Sequence, residues 1–230
     1  RSMLSSRALA VGVAAVYWAL VVRLSGDFEQ LFGEQVEGYF ANGAPRWRCA
    51  LGVLTQIGIL PPLFAWSARM HAFDLRRWGD EFAAGNASIS DRIFTLVFAA
   101  FLVVDWQIVE VRTMMTAHHI SCLVGHLIAI FLQPSVFPRY VAGVCALELG
   151  SASCNLFCLY PASAAIAVTY AATLSLTHVV TLLCLKEWAA AVPSRVGRVF
   201  GILLTLALVA IRQKEAHNAC RGTLAAVWTT

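Results

Sequence analysis

The sequence predicts an all-α membrane protein, a bundle of six to seven transmembrane helices. Of its 230 residues 59% are hydrophobic and only 13% are charged, whereas soluble domains average about 25% charged residues. The apolar runs are about 20 residues long, as spanning helices need, and they lack the strict alternation of barrel strands. Because lipid cannot hydrogen-bond to exposed backbone groups, such runs must satisfy their own backbone as helices.

The apolar runs cover residues 8–24, 47–68, 93–111, 116–132, 140–159, 162–185 and 199–211. Pro61 and Pro62 in the second run predict a kink or break, and the seventh run has the length of a tilted or partial span. A charged loop, 69–92, separates the second run from the third, and its residues 70–82 are predicted as an interfacial amphipathic helix. No linker divides the chain, so the sequence predicts a single domain, 1–230, with a motif region at 93–160.

Charge and cysteine content exclude other classes of protein. The net charge of +4 is spread thinly along the chain, so nucleic acid is excluded as a partner. The seven cysteines fall mostly inside apolar runs and do not form a disulfide framework. The chain begins with Arg1, which fits a cleaved organelle presequence and an incomplete chain equally well. The endoplasmic reticulum and the mitochondrial inner membrane both stay open as locations.

Ionisable residues inside apolar runs are costly and are therefore candidates for a functional site. The fourth and fifth runs are joined by a short turn and should pack antiparallel, which predicts a polar pocket with Glu148 and His126 at its floor. We expect His118 or His119 within hydrogen-bonding reach of a carboxylate or amide of the neighbouring helices. His178 is predicted to be structural and His71 to lie on the surface. The candidates in the runs are Asp105, Glu110, His118, His119, His126, Glu148, Asn155 and His178.

Two other interpretations account for these polar residues. They could be hydrogen-bonded glue between helices with no further role. They could also hold a haem, with His126 or His119 and His178 as the axial ligands. The small residues that normally surround a porphyrin are not identifiable, so no haem and no metal is predicted.

The order of these residues resembles the TLC domain family of membrane proteins. The first stretch, FLVVDWQIVEVRTMMTAHHISCLVGHLIAIF, has an aspartate near the end of one run and a His-His pair that opens the next. The second stretch, YVAGVCALELGSASCNLF, has Glu-Leu-x-Ser followed by Asn. The family includes ceramide synthases, which transfer a fatty acyl group from acyl-CoA to a sphingoid amine. Ser151 stands where those enzymes have a second aspartate, so the chain is more similar to the small TLC-domain proteins, which are associated with lipid composition and transport.

For acyl transfer, His118 or His119 would act as general base or transient acyl acceptor. Asp105 or Glu148 would orient that histidine, and acyl-CoA would be the co-substrate. The remaining polar residues of the predicted lipid pocket are Ser121, His126, Ser151 and Asn155, of which Ser121 and Asn155 could donate to an oxyanion. Membrane lipids are the expected partners. The alternative is a non-catalytic accessory subunit of a larger membrane complex, a mitochondrial one included, and the sequence leaves open whether the protein is an enzyme.

Overall fold

The regular elements of the computed structural model, which describes residues 3–33, 36, 38, 45–108 and 113–228, are all helices. The described part of the chain contains no β-strand, so the all-α prediction is confirmed there. Glu110 lies outside the described residues. The α-helices are α1 (Met3–Phe32), α2 (Cys49–Val53), α3 (Leu60–Met70), α4 (Leu75–Ala83), α5 (Ile89–Ile108), α6 (Thr113–Leu127), α7 (Phe137–Leu159), α8 (Ala164–Ala191) and α9 (Arg195–Trp228).

Five helical segments are long and apolar enough to cross a membrane. The predicted count of six to seven spans stays a prediction, and it depends on α5 and on the shorter apolar helix His118–Leu132. The prediction of a short seventh helix is wrong, because α9 continues for 34 residues. Arg212 is the first charged residue after the apolar run 199–211, but a charged side chain does not terminate a helix. The five segments are Val11–Leu31, Arg46–Met70, Pro134–Leu159, Ala164–Ala191 and Arg195–Ala226.

The helical segment Arg46–Met70 passes through Pro61 and Pro62 without ending. A π-helical stretch, Leu54–Ile59, lies directly before the two prolines. Proline has no backbone N–H and its ring crowds the carbonyl groups of the preceding turn, and a wider π turn relieves that crowding. The predicted disruption is therefore present as a π-helical stretch and not as a break in the span.

Helix α7 lies at the centre of the bundle, where it packs against α2 and α8, and α8 packs in turn against α9. Small residues let these helices approach closely. At Gly150 an added Cβ would lie 2.8 Å from Leu174 Cδ1 and 2.6 Å from Thr177 Oγ1. The α7–α8 interface therefore requires glycine at this position.

His71 is buried, with 2% of its surface exposed, so the prediction of a surface position is wrong. Its Nδ1 lies 2.7 Å from Glu81 Oε2, and its Nε2 lies 3.0 Å from Asp91 Oδ2. The ring also stacks on Trp78, with centroids 5.2 Å apart. This cluster joins the end of α3 to α4 and α5.

Helix α3 ends at Met70 and is followed by a non-helical turn, which explains the late start of α4. Ala72 and Phe73 have positive φ angles of 55° and 58° and cannot continue the helix. Asp74 then caps α4 by accepting hydrogen bonds from the backbone N–H groups of Arg76 and Arg77. The predicted amphipathic helix is thus present, but it begins at Leu75 instead of residue 70.

We expect Asp91→Asn to lower the free energy of unfolding by about 1–3 kcal/mol, the cost of disturbing a buried hydrogen bond to a side chain that has no other partner on this nitrogen among the described residues. Asp91 is fully buried, and the substitution removes the carboxylate that faces His71. Thermal unfolding in detergent measures the effect. Arg77→Ala is the matched control, because its partner Glu81 is shared but the pair is exposed. An equal loss of stability in both variants would contradict the assignment of the buried pair.

Candidate functional site

Two histidine–carboxylate pairs lie buried where α5, α6 and α7 meet. His119 Nε2 is 3.0 Å from Asp105 Oδ2, and His118 Nε2 is 3.8 Å from Glu148 Oε1. All four residues have at most 7% of their surface exposed. Consecutive residues of a helix point about 100° apart, so one imidazole faces α5 and the other faces α7. The expected proximity of the histidines to carboxylates is present.

A chain of side-chain amides holds the second oxygen of Glu148. Gln56 Nε2 donates to Glu148 Oε2 at 2.7 Å, and Asn155 Nδ2 donates to Gln56 Oε1 at 3.0 Å. Gly52 makes this approach possible, since an added Cβ there would collide with the Asn155 amide. Asn155 therefore orients Gln56, a contact that differs from the predicted donation to an oxyanion.

Arg212 enters the cluster from α9 and donates from Nη2 to Ser151 Oγ at 2.8 Å. Its charge acts on His118, Glu148 and His178. Ser151, the position at which the resemblance to ceramide synthases fails, thus lies beside a cation. Sequence analysis missed Arg212 because it ended the seventh apolar run at Ile211, directly before this arginine, whereas α9 continues to Trp228. It also missed Gln56, although an amide in the middle of the second apolar run is itself a signal.

His126 is not at the floor of this cluster, so that prediction is wrong. Its Nε2 donates to the backbone carbonyl of Thr95 at 3.1 Å, and its ring packs edge-on against Phe98 with centroids 5.3 Å apart. His126 lies seven residues after His119 and shares its helix face. Both side chains therefore contact α5, whereas Glu148 lies on α7.

An apolar cavity of about 190 Å³ lies between α6, α7, α8 and α9. Arg139 and Gln133 line its outer end, at the turn between α6 and α7, and Ser121 also lines it. Its inner end is formed by Cys122, Leu147, Thr181 and Leu208. One helical turn beyond these four residues lie, on the same helices, His118, Ser151, His178 and Arg212. The polar cluster therefore lies about one helical turn beyond the inner end of the cavity.

His118, Cys122 and Glu148 each offer a metal-ligand atom, and these atoms lie within 4.8 Å of one another. Nitrogen, sulfur and carboxylate oxygen are ligands that zinc accepts. The positive charge of Arg212 acts on the same carboxylate and opposes a divalent cation there. The absence of a metal stays a prediction.

Comparison with models of protein families, with curated proteins and with solved structures gives no match for this chain. Fold and site alone therefore define its class. It is an all-α protein with the long apolar helices of a membrane protein and a buried polar cluster at the end of an apolar cavity. The resemblance to the TLC domain family stays a prediction.

Gln56→Leu should lower the free energy of unfolding by about 1–3 kcal/mol, because it leaves a buried carboxylate oxygen of Glu148 without its donor. Denaturation of the variant in detergent measures this loss. The double variant Q56L/E148L is the matched control, since removal of both partners is much less costly than removal of one. A double variant that is destabilised by the full sum of the two single losses would argue against this hydrogen bond.

Proposed function

We propose that this protein is a multi-pass, TLC-type membrane protein with six to seven spans that binds an acyl lipid and transfers its acyl group. The observation that carries the proposal is the position of the cavity. An apolar space between four helices ends one turn from His118 and Glu148. An acyl chain in this space would place its head group beside the buried histidine–carboxylate pairs.

The lining of the cavity suits a hydrocarbon chain. Apolar side chains from all four surrounding helices line it, among them Val124, Leu147, Leu185 and Leu208. An acyl chain that enters from the surrounding lipid is held by van der Waals contacts with these side chains along the length that it inserts. The polar residues at the inner end then select which part of the lipid reaches the histidines.

The His118–Glu148 pair supplies the groups that acyl transfer needs. His118 takes the proton of an attacking hydroxyl or amine, and Glu148 stabilises the resulting imidazolium. The new ester or amide bond forms as the acyl–sulfur bond of acyl-CoA breaks, and the proton passes to the leaving thiolate. Exclusion of water strengthens these interactions. His119, held by Asp105, is the second candidate for the base.

We expect Leu204→Trp to abolish binding of an acyl chain, because the indole fills the cavity that Leu204 lines. Binding of a fluorescent long-chain fatty acid to the purified protein measures this loss. Leu203→Trp is the matched control, since Leu203 is the preceding residue of the same helix and is 62% exposed. Loss of binding in both variants, or in neither, would contradict this assignment of the cavity.

His118→Ala or His119→Ala should reduce acyl transfer by at least about 10²-fold, the contribution of a general base. The assay offers labelled acyl-CoA with sphingoid, glycerol and amine acceptors, and a thermal melt confirms that each variant folds. His217→Ala is the control, because His217 is exposed on α9. Full turnover in both active-site variants would exclude a catalytic role for the pair.

The second candidate is a non-catalytic subunit of a membrane complex in the endoplasmic reticulum or the mitochondrial inner membrane. It is favoured by the exposure of α9, because only 6% of the apolar window in Arg195–Ala226 is buried inside the protein. That surface contacts lipid or another membrane protein. No acyl transfer from any acyl-CoA, together with retained phospholipid and a recovered partner complex, would decide for this function.

A further inference from the structure

Two hydrogen-bond donors at the inner end of the cavity are buried without an acceptor. They are Arg212 Nη1 and His178 Nε2. His178 has 2% of its surface exposed. Buried polar groups in native proteins nearly always have a partner, so each exception calls for an explanation such as an absent ligand.

The hydrogen bond from Gln213 defines the proton position on His178. The amide nitrogen of Gln213 faces His178 Nδ1 at 2.9 Å, and an amide nitrogen can only donate. The amide donates and Nδ1 accepts, and a neutral imidazole then carries its proton on Nε2. The unpartnered Nε2 is therefore an N–H group that lacks an acceptor.

Both donors lie about one helical turn beyond residues that line the apolar cavity. Arg212 lies one turn beyond Leu208 on α9, and His178 lies three residues before Thr181 on α8. Gln213, the residue that follows Arg212 on α9, lies 2.9 Å from His178 Nδ1, and the Arg212 charge acts on His178. Other titratable groups near this end include His118, Cys122 and Glu148, whose Oε1 also has no hydrogen-bond partner. One side of the cavity end thus offers N–H donors, and the other offers a base.

We propose that Arg212 and His178 bind the carboxyl oxygens of a fatty acyl group whose chain lies in the cavity. This proposal rests on the acyl-chain binding proposed above. A carboxylate, or a carbonyl oxygen that gains negative charge, would accept from Arg212 Nη1 and His178 Nε2 in a charge-assisted hydrogen-bonding site. The acyl group would then lie head inward, with its carbonyl carbon beside His118 and its tail toward Arg139.

The test compares a long-chain fatty acid with the fatty alcohol of the same chain in displacement of a fluorescent acyl probe from the whole protein at pH 7. The native protein should bind the acid about 10- to 100-fold more tightly, the range of a hydrogen bond to a charged group. Arg212→Gln should remove this preference while the alcohol still binds. Arg139→Gln, at the outer end of the same cavity, is the matched control and should leave the preference intact.

The proposal is overturned if the native protein binds acid and alcohol equally, or if R139Q and not R212Q removes the preference. It is also overturned if an alkyl phosphate of the same chain binds more tightly than the acid with the same dependence on Arg212, because the head group is then a phosphate. If R212Q does not fold, His178→Phe takes its place and should weaken the preference. Binding of neither ligand by the native protein would instead refute the proposed acyl-chain function itself.

Discussion

The bundle is organised by the need to partner one carboxylate, Glu148, in the interior of an apolar protein. Glu148 is 2% exposed, and an unpartnered charge in such a place is strongly destabilising. The Gln56 amide holds one of its oxygens, His118 lies beside the other, and the positive charge of Arg212 acts on the carboxylate. These partners come from the second, fourth and last apolar helices. Helices far apart in the sequence are thereby brought into one arrangement around α7.

The same requirement explains which parts of the structure the sequence could predict. Apolar run length and low charge identify the fold class, because both follow from lipid as the surrounding solvent. His118, His119 and Glu148 were found because ionisable residues in such runs are rare. Sequence analysis does not identify the two partners of Glu148 that are neutral or lie beyond the end of an apolar run. Gln56 carries no charge, and Arg212 follows an apolar run that the sequence ends at Ile211.

Two histidines show where helical spacing alone is insufficient. The spacing correctly groups His119 with His126 on one face of α6, but it does not say which neighbouring helix that face contacts. The face contacts α5, so His126 binds the Thr95 carbonyl and lies apart from Glu148. His71 was placed on the surface because its segment is charged. Helix α3 ends directly before it, and the two residues after it, Ala72 and Phe73, have positive φ, a conformation that neither residue type signals.

The pairing of Ser151 with Arg212 changes what the cluster can do. In the ceramide-synthase pattern a second carboxylate would stand at this position, and two carboxylates would suit a cationic amine. Here a guanidinium faces the cavity end together with the carboxylate of Glu148. A site with one anion and one cation can act on both reactants of an acyl transfer. The base beside Glu148 accepts a proton from the nucleophile, and the N–H donors on the other side stabilise negative charge on the carbonyl oxygen. Serine at position 151 therefore gives this site a different division of charge from the ceramide-synthase pattern, and the difference does not by itself argue for an inactive protein.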